Sequence, residues 1–192
     1  MKKGRYILLT LLVMGLILTQ LVGCSSKKEA IKESGETVVH ADYEMYGDIE
    51  KLVNNSDIII TGKVKKVNSA QEINVSLEKD NPLYHVYTVS EIVVEKVIKG
   101  NINPGDVVKV KQLGGEVKNI KYVEQNVKYF SKNMKGMFFL KTYSNDIPCS
   151  LLNPVQGDIE IIDEIAKPHK NNILFVNITE EELVNKVKSK VK

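Results

Sequence analysis

Two periodicities run through the chain and alternate with polar connections. From Ile58 to Val67 apolar and polar positions alternate: Ile58, Ile60, Gly62 and Val64 share one side, and Thr61, Lys63 and Lys65 the other. That is the period of a half-buried strand. Gly62 inside it predicts a bulge or sharp bend. Tyr84 to Val97 is a long β-branched and aromatic run, predicted as a strand that bends and serves two sides of a barrel. Lys99-Gly100 breaks it, and Asn103-Pro104-Gly105-Asp106 has the chemistry of a turn. Val107 to Gln112 predicts a strand with Val108 and Val110 inward and Lys109 and Lys111 outward, ended by Gly114-Gly115. Met137 to Tyr143 and Asp158 to Ile162 predict two more, with Leu151 to Val155 a short one stopped by Pro154.

The helical period appears twice. Ile49, Leu52 and Val53 share one face of a short segment from Asp48 to Asn54. Thr179 opens a C-terminal helix in which Glu182 completes a capping box and Glu180 and Glu181 suit the positive end of the dipole. Leu183, Val184, Val187 and Val191 share its apolar face. The lysines that crowd its end also suit a membrane surface, but the glutamates and the lack of large aromatics favour docking on the domain. Between these elements, Ser69 to Pro82 reads as a loop or irregular hairpin. Glu116 to Asn133 is mixed, with Tyr122, Val123, Tyr129 and Phe130 placed to cover a barrel mouth. The fold class is therefore mainly β with flanking helices.

The first residues follow neither period. Lys2, Lys3 and Arg5 precede an almost unbroken apolar run from Ile7 to Leu18, and small or apolar residues continue to Gly23. These are the parts of a secretory signal peptide. A membrane-spanning helix needs about 20 apolar residues, and Tyr6 to Val22 is shorter and carries Thr10, Thr19 and Gln20. Leu21-Val22-Gly23-Cys24 is similar to a bacterial lipobox. The resemblance implies cleavage between Gly23 and Cys24 and a diacylglyceryl group on the Cys24 sulfur. It thereby implies a chain anchored to the extracytoplasmic face of the cell membrane. Residues 1–23 are then the signal, the polar residues 24–36 a flexible spacer, and residues 37–192 one domain.

Charge changes the picture once the signal is set aside. The chain has 27 Lys+Arg against 24 Asp+Glu, and Lys2, Lys3 and Arg5 account for the excess. The mature chain is balanced, without the concentrated basic face that nucleic acid requires. Arg5 is the only arginine, so the remainder lacks the planar fork that holds phosphate or carboxylate bidentately.

Candidate chemistry is sparse. Cys149 is the only cysteine besides Cys24, and no histidine lies close to it in sequence. His40 and Asp42 offer two ligand types without further partners at metal-site spacing. His40, His85 and His169 are far apart in sequence and in no familiar motif. No catalytic, metal or cofactor-binding residue is assigned, and the expected activity is non-enzymatic.

Ser56 to Val64, Tyr87 to Lys99-Gly100, Gly114-Gly115 and Gly136-Met137-Phe138-Phe139-Leu140 together resemble the OB-type barrel of netrin-like domains, the family that includes tissue inhibitors of metalloproteinases. The resemblance implies a five-stranded, partly open barrel whose face and loops often bind ligands. The inhibitors of that family chelate protease zinc through a free N-terminal cysteine. A lipidated Cys24 far from the first strand departs from this, and no site residue is carried over. The expected function is a membrane-anchored binding module for a protein, glycan or envelope ligand. The alternatives are a protease inhibitor acting through loops such as Ser69 to Pro82, and an envelope hydrolase.

Overall fold

The computed structural model describes residues 35–192, apart from residues 77, 79, 145 and 177. The lipobox and Cys24 lie outside them. The described residues belong to one compact unit, and no helix among them is long and apolar enough to cross a membrane.

Ten strands and two helices follow in the order β1 (Gly35–Val39), α1 (Ile49–Asn55), β2 (Ile58–Val67), β3 (Gln71–Asn74), β4 (Tyr84–Lys99), β5 (Val107–Val117), β6 (Ile120–Glu124), β7 (Lys135–Lys141), β8 (Cys149–Leu151), β9 (Asp158–Ile162), β10 (Ile165–Pro168) and α2 (Glu180–Lys188). The protein is mainly β, with one of its helices at the C-terminus. The main path through the mixed sheet is β1-β6-β5-β4-β2-β7-β9-β10. Short β8 bends this path into a partial ring: it pairs antiparallel to β7 and parallel to β5.

The long β4 makes the ring possible. Tyr87–Val93 of β4 pair with β5 and Ser90–Lys99 with β2, the latter through register shifts at Ile59/Ile60, Thr61/Gly62 and Val64/Lys66. Gly62 lies at one of these irregularities. A Cβ there would stand 2.5 Å from the Val93 carbonyl oxygen, so only glycine lets the two backbones approach this closely.

The core has two halves, one on each side of β2 and β7. Ile60, Val64, Phe138 and Leu140 point into the ring and meet Ile92, Val108 and Val110. Ile59, Met137 and Phe139 point the other way, where α1 and α2 cover them with Leu52, Val53, Leu183 and Val187. Burial on both faces explains the continuous apolar runs Ile58–Ile60 and Met137–Leu140. Each fully buried Phe or Leu contributes roughly 1.5–3 kcal/mol. The helix ends are satisfied locally. The Asp48 side chain accepts from the Lys51 N–H at 2.8 Å. Thr179 and Glu182 form the expected reciprocal box. Lys99 Nζ donates to the carbonyls of Val53 and Asn54 at the end of α1. With Leu183 and Val187 fully buried, α2 is docked on the domain.

Several expectations are corrected. There are ten strands rather than five. Gly114-Gly115 does not end β5. Both glycines have positive φ, and the strand runs on to Val117 and turns back into β6. β1 lies parallel to β6, so Gly35 and Glu36, expected in the spacer, belong to a strand, and a domain start at residue 37 falls inside it. Of the loop or irregular hairpin expected from Ser69 to Pro82, the hairpin is what forms: Gln71–Asn74 pairs antiparallel with β4.

Candidate functional site

A pocket of about 130 Å³ opens on the outer face of β4 and β5. Its floor comes from two charged side chains that the fold buries: Lys111 of β5 is 5% exposed and Glu124 of β6 is 4% exposed. Tyr87 of β4 forms a wall. Tyr43 and Tyr143, still 39% and 44% exposed, make the rim.

Strand alternation puts Lys111 outward, as expected, since Val108 and Val110 fill the ring. The face it emerges on is covered, however. The segment between β7 and β8 folds over it, and Lys111 Nζ donates to the Pro148 carbonyl at 2.8 Å. The ammonium lies 3.6 Å from the centre of the Tyr143 ring and 5.7 Å from that of Tyr87, a cation–π arrangement. The Tyr143 hydroxyl is fixed by Ser150 Oγ at 2.7 Å. Burial lowers the Lys111 pKa to about 8, with Cys149 acting in the opposite direction. Burial raises the Cys149 thiol in turn, with Lys111 opposing.

Glu124 sits at the far end of β6. Its backbone N–H donates to the Tyr129 hydroxyl at 3.0 Å, and that hydroxyl donates to the Leu113 carbonyl at 2.6 Å. β5 and β6 are thereby pinned beside the pocket. Burial raises the Glu124 pKa, and the Tyr43 hydroxyl beside its carboxylate opposes the rise. Tyr43 itself is raised, first by burial and then by Glu124. Gln112 is the brace between strand and loop: it donates to the Lys128 carbonyl and accepts from the Phe130 N–H.

The residues singled out from sequence fall elsewhere or at the margin. His40 and Asp42 are exposed. His85 is exposed on β4 opposite Ile73, its ring edge-on to Tyr87 at 6.4 Å. His169 follows β10, where its Nδ1 accepts from the Asn171 N–H and burial lowers its pKa. Cys149 is a free, half-buried thiol in β8, beside Lys111. Among the described residues no three His, Cys, Asp or Glu side chains are grouped to hold a metal ion. Lys111 and Glu124, the two charges that define the pocket, were not legible as site residues. Each occupies an ordinary position in a β pattern, and only the covering segments bury them.

No protein-family model matches the chain, and no curated protein matches it.

Proposed function

We propose that this chain is a bacterial lipoprotein: a diacylglyceryl group on Cys24 holds a non-catalytic, extracytoplasmic binding module at the cell membrane. The observation that carries the anchor is Leu21-Val22-Gly23-Cys24 behind a basic start and a short apolar run. One acyl chain gives marginal membrane binding, whereas two give a stable anchor.

The position of the pocket supports a binding module. We read β2, β4, β5, β7 and β8 as the five strands of an OB-type barrel of the netrin-like kind, with the remaining strands as additions at its edges. In such barrels the face of the second and third strands and the loop between the fourth and fifth hold ligands. Here β4 and β5 correspond to that face, and the segment carrying Tyr143 corresponds to that loop. All three contribute to the pocket. Its floor joins a cation and a carboxylate to aromatic walls, the combination of apolar lining and a few placed polar groups that ligand sites use.

Metabolic labelling with a radioactive fatty acid tests the anchor. The wild-type chain incorporates label, and Cys24→Ala incorporates none and is poorly processed, while its domain folds normally. Label retained on Cys24→Ala contradicts the proposal.

A further inference from the structure

The two charges on the pocket floor do not neutralise each other. Among the described residues Lys111 has no carboxylate partner; its one hydrogen bond goes to a neutral carbonyl. Glu124 has no cationic partner; its carboxylate meets the Tyr43 hydroxyl. Among the described residues no ion pair joins the two, although both line one cavity and each is nine-tenths or more buried. A buried charge without a counter-charge carries a desolvation penalty that nothing offsets. The Lys111 ammonium keeps N–H donors beyond the one given to Pro148. A ligand with one charge relieves one of the two and leaves the other. A ligand that carries both a carboxylate and an ammonium relieves both, and the Tyr87 ring on the wall of the same cavity, 5.7 Å from the Lys111 ammonium, offers a surface to a short carbon spacer. The cavity of about 130 Å³ is smaller than the roughly 300–1,000 Å³ of sites for drug-sized ligands, which suits a small guest.

Resting on the binding-module reading, we infer that this pocket takes a small zwitterion of the amino-acid class, its carboxylate on Lys111 and its ammonium on Glu124. Lys111 and Glu124 together set a required spacing between the two charges, so one chain length fits best.

The test uses the full-length chain purified from membranes in detergent, with ligand-observed NMR. The probes are a series of ω-amino acids from glycine through 4-aminobutyrate to 6-aminohexanoate. Each is paired with the alkyl carboxylate and the alkylamine of the same length. The expected result is one optimum length, bound at least tenfold more tightly than either single-charge analogue. In Lys111→Met the zwitterion loses that advantage over the amine, and in Glu124→Gln it loses it over the carboxylate. Thermal unfolding of each variant checks that it is folded. If one variant does not fold, the wild-type length series and the other variant decide. Equal binding of a single-charge analogue, or no binding of any probe in the series, overturns the inference and leaves the binding-module reading standing. Consumption of a bound zwitterion during the measurement upholds the site and overturns the non-catalytic reading.

Discussion

Asp158 offers a sharp test of how the fold handles buried charge. It opens β9 opposite Phe138 and is 8% exposed. Burial pushes its carboxyl from 3.8 up to about 7; Lys128 opposes this and Glu160 adds to it. Lys128 is itself engaged in an ion pair with Glu160. The folded carboxyl thus holds its proton more tightly than the unfolded one. Between pH 4 and 7 the folded state binds more protons, so stability falls as pH rises through that window. The loss is complete above pH 7, where ionising Asp158 in place costs about 4 kcal/mol relative to acid conditions. Asp158→Asn keeps the shape and removes the titration. Near pH 4 the variant and wild type should unfold alike. At pH 8 the variant should be more stable by up to about 4 kcal/mol, on the order of 10 °C in Tm for a chain of this size. Urea denaturation across pH 4–8, with unchanged m-values, measures this directly. A stability difference that is the same at pH 4 and pH 8 would refute the reasoning.

Two further substitutions probe the framework. Gly62→Ala puts a methyl 2.5 Å from the Val93 carbonyl oxygen and 2.9 Å from Ile92 Cγ2, and should lower stability by about 2–3 kcal/mol, read as a lower urea midpoint at constant m. Thr179→Ala removes the capping-box oxygen that accepts from the Glu182 N–H and should cost about 1 kcal/mol. Thr179→Ser should restore most of it.

Elements with strong period or cap chemistry were legible in the sequence. β2, β4, β7 and β9 lie where alternation or β-branched runs put them, and α1 and α2 where Asp48 and Thr179 cap them. β1 and β6 were not legible. β1 is exposed along nearly all its length, so no apolar alternation marks it. β6 carries Lys121 and Glu124 among its hydrophobes and exists because β5 continues through Gly114-Gly115. The site failed for a different reason. Alternation correctly turned Lys111 outward, but its burial depends on Tyr143 and Pro148, some thirty residues later in the chain. Tyr43 likewise reaches the rim from a segment with no periodicity at all. Local pattern reports which face a side chain takes; it does not report what later covers that face.

The proposed anchor is a chemical modification of Cys24, and mass spectrometry of the N-terminal peptide from the membrane-purified protein tests it most directly. The prediction is a chain that begins at Cys24 and carries a diacylglyceryl thioether. A mature chain with an unmodified Cys24, recovered dissolved in the culture fluid, would contradict it.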